Sequence, residues 1–174
     1  MTFLVLAPPR SMTAWLANML TTESTVCHHD VLVHGGLPRM RTLSGAAGVE
    51  VGFAETGGLA IPLTLLGAFP NARIVVIQSE PARVGASLTR IGIDGDAFIR
   101  EAGARIGRAM SLPGHAMFVR DTEVLDRAGD ISEYLIGRRP SEARLSLLRT
   151  LRVVKSNPLH GDPKPLRELI ERES

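Results

Sequence analysis

A three-layer α/β domain with a mostly parallel sheet is what this sequence predicts, on three observations. Short apolar runs such as FLVLA and ARIVVIQ lack an alternating polar face, as expected of strands covered on both sides. Segments with helical spacing alternate with those runs along the chain. Aromatic residues make up only 4% of the 174 residues, so the core must rest on aliphatic side chains.

The elements follow in order. Residues 3–7 form the first strand, and residues 11–20 a helix with Trp15, Leu16, Met19 and Leu20 along one side. Residues 26–33 read as a second strand. Residues 34–48, HGGLPRMRTLSGAAG, are the least periodic and most Gly-rich stretch and read as a loop or lid. Residues 49–54 give a third strand and then a helix to Phe69. ARIVVIQ, residues 72–78, is the clearest strand, and Pro81 opens the next helix in its favoured first-turn position. A helix at 94–110, a strand at 115–121, helices at 123–136 and 141–151, a connector, and a charged helix at 163–174 complete a single domain spanning 1–174.

Several classes are excluded by composition. The net charge of +2, with both signs interspersed, lacks the basic stripe of a nucleic-acid binder but would not repel a small anion. No apolar run approaches the ~20 residues needed to span a bilayer, and the apolar start has no positive flank and breaks at two prolines. With Cys27 the only cysteine, no internal disulfide forms, so the expected location is cytoplasmic.

The stretch LAPPRSMTAWLANML, residues 6–20, carries the first chemical signal. A strand feeding a tight loop into a helix gathers backbone N–H groups and the positive helix end at one place, which suits an anion. Arg10 adds a permanent charge, and Ser11 and Thr13 add hydroxyls that either cap the helix or hold ligand oxygens. A Walker loop is excluded, because the glycines and the Lys-Ser/Thr pair are missing.

This stretch resembles the 5′-phosphosulfate loop of sulfotransferases, Pro-(Arg/Lys)-Ser-Gly-Thr-x-x-Leu, enzymes that use 3′-phosphoadenosine-5′-phosphosulfate (PAPS). Pro9, Arg10, Ser11, Thr13 and Leu16 match, and Met12 stands where the family has glycine. FPNARIVVIQSEPARVGASL, residues 69–88, is similar to the family's second signature, a strand ending in Arg-Asp-Pro and a helix bearing a serine; the arginine and that serine hold the 3′-phosphate. Pro81 and Ser87 align, Glu80 stands for the acidic residue, and Ser79 occupies the arginine position. Arg83 and Arg90 lie four and three residues from Ser87, at helical spacing. More weakly, residues 115–137 look like the family's next strand and helix, so the likeness covers residues 3–151. Gly137–Pro140, GRRP, is the nearest basic cluster to the family's C-terminal Gly-rich clamp. The compact form also resembles short sulfotransferase-like proteins of phages and prophages.

The resemblance implies a P-loop sulfotransferase-like fold that binds PAPS or PAP without metal. Pro9, Arg10, Ser11, Met12, Thr13, Ala14, Ser79 and Ser87 would hold the nucleotide, and a small-molecule, sugar or peptide acceptor would take the sulfuryl group on a hydroxyl or amine. Such transfer needs alignment, charge neutralisation at the leaving phosphate, and a base. Arg10 suits the second role. For the base, strand alternation in CHHD puts Cys27 and His29 on one face and His28 and Asp30 on the other, and either histidine titrates in the useful range. Asp30 could orient an imidazole, and Glu55 in FAETGG is the rival base. A zinc site at Cys27, His28, His29 and His34 is set aside, because adjacent strand residues point apart. Cys27 itself reads as a small buried hydrophobe. The Arg-rich 138–152 reads as a solvated helix face with Leu145, Leu148 and Leu151 turned inward. A non-catalytic anion-binding or assembly module on the same fold is the competing reading; a phosphotransferase is a third, disfavoured by the missing Lys-Ser/Thr pair.

Overall fold

The computed structural model describes residues 2–45, 48–110, 112 and 116–150. Its centre is a five-stranded parallel sheet: β1 (Thr2–Leu6), β2 (Thr25–His29), β3 (Glu50–Glu55), β4 (Arg73–Gln78) and β5 (Met117–Arg120), in the spatial order β2-β3-β1-β4-β5. Around it run α1 (Thr13–Leu20), α2 (Val31–Ser44), α3 (Pro62–Ala68), α4 (Pro81–Thr89), α5 (Gly95–Met110), α6 (Ala128–Ile136) and α7 (Glu142–Thr150). Short 3-10 turns stand at Gly58–Ala60 and Asp121–Glu123. The α/β architecture expected from the alternation is the one observed.

Strand alternation sorts the core into two layers. Phe3 and Val5 of β1 and Val75 and Ile77 of β4 face α1, α6 and α7. Leu4 and Leu6, with Ile74 and Val76, face α2 and α3. The central strands are therefore apolar on both sides, which is why they read as unbroken runs. Gly52 of β3 lies against Phe3, and a Cβ there would sit 1.9 Å from the ring. Trp15 Nε1 donates to Leu148 O at 3.1 Å and fastens α1 to α7.

The structure departs from the sequence reading in several places. The second strand stops at His29, because Asp30 turns into the left-handed region at φ 53. Residues 34–44 of the segment read as a loop or lid belong to helix α2. Gly36, at φ 63 and ψ −172, breaks it into two parts, and Pro38 falls in the first turn of the second part, where a missing N–H costs little. Leu37, Met40 and Leu43 then recur at helical spacing against the α2–α3 layer. After β3 the helix starts at Pro62, later than expected, and the helix after β5 starts at Ala128.

The Arg-rich region is also only partly solvated. Leu145 and Leu148 are buried as expected, but so is Arg144, which donates to Asn18 O at 3.0 Å and to Thr21 O. A guanidinium at those carbonyls complements the negative end of α1. Arg138 pairs with Glu23, and Arg139 with Asp130 and Glu133. Residues 22–24 precede β2, so GRRP, the nearest basic cluster to a counterpart of the clamp, lies at the amino ends of the strands, away from the loop that follows β1. The expected helix at 163–174, its connector and Leu151 lie outside the described residues. Among the described residues no helix is long and apolar enough to cross a membrane.

Candidate functional site at the strand ends

The connections that follow β1 and β4 run to opposite sides: from β1 the chain passes to β2 on one flank, and from β4 to β5 on the other. The reversal opens a crevice at the carboxyl ends of β1 and β4, where open parallel sheets place ligands. The first loop and the second segment leave the sheet there.

The loop is a strained concavity. Arg10 and Met12 are both left-handed, at φ 66 and φ 62, with Ser11 between them at negative φ. Left-handed residues at the head of a helix are one of the backbone forms that anion-binding nests take, and these stand at the start of α1. Holding a non-glycine residue left-handed costs about 1–2 kcal/mol, which is why glycine would be favoured at Met12. Ser11 and Thr13 are buried, Pro9 and Ala14 half-buried, and Arg10 exposed.

The two segments meet directly. Ser11 Oγ lies 2.5 Å from Ser79 Oγ, and Arg10 Nε donates to Ser87 Oγ at 3.2 Å. The helix starts of α1 and α4 therefore stand side by side, both presenting positive dipole ends. Arg83 is paired with Asp121, and Arg90 is exposed. The guanidinium that reaches Ser87 comes from the loop.

On the β2 side, Thr13 Oγ1 is 2.9 Å from His29 Nε2, and Asp30 Oδ2 lies 3.4 Å from the same nitrogen. Asp30 is held by Thr56, whose N–H and hydroxyl donate to Oδ1 at 2.9 and 2.8 Å. Burial holds the His29 imidazole below its ordinary value, with His34 adding to the effect and Asp30 opposing it. His28 faces the other layer, 5.9 Å from the Phe53 ring, and burial and Arg39 lower it too. Its Nδ1 is buried without a hydrogen-bond partner. Cys27 is fully buried and burial pushes its thiol far up, as a packed hydrophobe requires.

Glu55 is fully buried. Its two oxygens accept the N–H groups of Val31 and Leu32 at 2.9 and 3.0 Å, so the carboxyl is spent on the first turn of α2. Burial pushes it up to about 8, against the opposing pull of those two donors.

Of the residues singled out from sequence, Arg10 and Ser87, Ser11 and Ser79, and Thr13 and His29 thus form three contacting pairs along the loop, while His28 packs on Phe53 and Glu55 holds the start of α2. Two polar residues were missed. Thr56, in the turn after β3, fixes Asp30, and Arg105 of α5 lines a cleft beside Ser79. Arg105 carries a legible signal: it continues the Phe98–Ala102 stripe of α5 at i+7, a charge on an otherwise apolar face.

Comparison with solved structures places the fold. A mouse sulfotransferase, SULT7A1, complexed with PAP, superposes with a TM-score of 0.62 at 13% identity, covering 94% of this chain and 68% of that one. The sulfotransferase domain from the curacin biosynthetic pathway gives a TM-score of 0.56 at 12% identity, covering 92% of this chain and 80% of that domain. No family model matches the chain, and no curated protein sequence does. The fold is that of the sulfotransferases, as the loop and the second segment led one to expect.

Proposed function

We propose that the protein is a sulfotransferase that binds PAPS across the β1–β4 crevice and acts on a hydroxyl or amine of a small molecule, sugar or peptide. The observation that carries this reading is the direct contact between the two segments, Arg10 with Ser87 and Ser11 with Ser79, 77 and 68 residues apart in the chain. The SULT7A1 structure holds PAP on a similar fold, which supports the choice of nucleotide.

The donor set fits the group. The nest at Arg10–Met12, with the Ser11 and Thr13 hydroxyls and the α1 dipole, suits a tetrahedral oxyanion. Ser87, with Arg10 beside it, suits a second phosphate where Ser79 replaces the family's arginine. When bound, PAPS supplies an activated sulfuryl group carried on a phosphate. Arg10 and the loop N–H groups counter the charge that gathers on that phosphate as the group leaves. His29 stands on the loop's side of the sheet and, kept neutral by burial with its Nε2–H toward Asp30, takes the acceptor's proton on Nδ1. Asp30 positions its ring, and Thr56 positions Asp30. Glu55 organises α2, and His28 packs on Phe53; neither is a base in this scheme.

Transfer of radiolabelled sulfur from PAPS to a hydroxyl acceptor, with and without Arg10→Ala, tests the reading. Turnover lost with Arg10→Ala is the expected result. Binding of PAP with no turnover on a broad acceptor panel would instead favour the non-catalytic module, to which Ser79, a weak donor at the arginine position, already points.

A further inference from the structure

Three arginines, Arg138, Arg139 and Arg144, line a cavity at the amino ends of the strands, away from the crevice. Its volume is about 130 Å³. At about 30 Å³ per water, that is room for roughly four waters or for a phosphate-sized ion. The connection after α1, the end of α6 and the turn before α7 enclose it, with Met19 and Ile136 as apolar members. The nest lies at the other end of α1, an eight-residue helix and therefore about 12 Å long.

Arg144 is the buried member, 3% exposed, with its Nη2 on the carbonyls of Asn18 and Thr21. Arg138 donates from Nη1 to Glu23 and from Nη2 to the hydroxyls of Thr22 and Ser24. Arg139 is held by Asp130 and Glu133, neither of which belongs to the lining. Among the described residues Glu23 is the one carboxylate in the lining, so Arg138 and Arg144 outnumber it. Its bond to Arg138 holds the Glu23 carboxyl below its ordinary value, and the charges of Arg138 and Arg144 add to the effect. Thr22, Ser132 and Ser141 contribute hydroxyl-bearing residues to the same lining. Guanidinium groups and hydroxyls brought together from three elements suit the oxygens of a tetrahedral oxyanion.

We infer that this cavity is a second anion site, which binds a free phosphate-sized dianion between Arg138 and Arg144. Its volume is well below the ~300 Å³ at which sites for larger ligands begin, so PAP is not its ligand. A dianion there offsets the repulsion between the gathered guanidinium groups and ties α1, α6 and α7 together. The inference does not rest on the sulfuryl-transfer reading, which concerns the other end of α1.

The test titrates inorganic phosphate into the full chain by calorimetry at neutral pH, with chloride holding the ionic strength constant, and titrates PAP separately. Arg10→Ala, which weakens the crevice, should still bind one equivalent of phosphate. On that background Arg138→Gln should weaken phosphate binding about tenfold, the worth of a charge-assisted hydrogen bond. Glu23→Gln, which removes the competing carboxylate, should tighten it severalfold. No phosphate binding in Arg10→Ala would overturn the inference. So would an affinity that Arg138→Gln leaves unchanged, one that Glu23→Gln fails to raise, or displacement of the phosphate by PAP, which would put it in the crevice. If Arg138→Gln does not fold, the Glu23→Gln result decides alone. If PAP fails to bind the wild type while phosphate binding depends on Arg138 and Glu23 as expected, this site stands and the sulfuryl-transfer reading fails.

Discussion

The two flanks of the strand-end crevice carry similar numbers of polar side chains and use them differently. On the β1–β4 flank, Arg10, Ser11, Ser79 and Ser87 bond mainly to one another through side chains. On the β2–β3 flank, Glu55 and Asp30 take backbone N–H groups: Glu55 those of Val31 and Leu32, Asp30 that of Thr56. Side chains paired only with each other can exchange that partner for a ligand oxygen. Side chains that satisfy buried backbone cannot, because an orphaned N–H costs about 1–3 kcal/mol. The carboxylates and histidines that look most catalytic in sequence thus lie largely on the structural flank, with His29 the link between the two.

The largest effect that would sharpen this contrast is on stability. Glu55→Ala strands two N–H groups and leaves a hole in the core, so denaturant unfolding should show a loss of about 2–5 kcal/mol. Arg10→Ala should do the reverse. It should cost about ten- to a hundredfold in PAP affinity, the worth of a charge-assisted hydrogen bond, with the unfolding midpoint nearly unmoved because Arg10 is exposed. Equal behaviour of these two variants would break the division between the flanks.

Next in size are two pH effects. The lowered His29 predicts that kcat/KM rises with pH through an inflection below 6.5 and levels off above it. His29→Gln should abolish turnover, while His28→Gln should leave the inflection in place. Glu55 acts on stability with the opposite sense. Folded, it holds its proton up to about 8 against an ordinary 4.5, so its contribution is fully present below 4.5 and fades as pH rises through 8. Unfolding measured across that window should show a decline in the wild type that Glu55→Gln flattens. The smallest effect concerns the nest. Met12→Gly relieves a left-handed methionine but loosens the unfolded chain, so it should stabilise by about 1 kcal/mol at most while PAP binding persists.

What the sequence makes legible follows the same division. The β1–β4 flank reads well because its signals are local: an unbroken apolar run, a Pro-Arg-Ser turn, a proline opening a helix. Its partner contacts then follow from strand order. The α2 segment reads badly, since Gly35, Gly36 and Pro38 look like punctuation although Gly36 only re-aims the helix and Pro38 restarts it. Glu55 misleads for a different reason. A carboxylate that binds backbone N–H groups leaves no trace in residue types, because every residue but proline has that donor. Arg105 is legible only once Phe98 and Ala102 are known to face inward, since an arginine on a helix is ordinarily a solvated one.

The most direct test of the phosphosulfate cradle is a crystal structure with PAP soaked in. The account predicts the 5′-phosphate on the N–H groups of residues 10–13, with Arg10 and Ser87 both turned onto phosphate oxygens. Nucleotide density elsewhere on the sheet, or none at millimolar PAP with the Arg10–Ser87 bond intact, would contradict it.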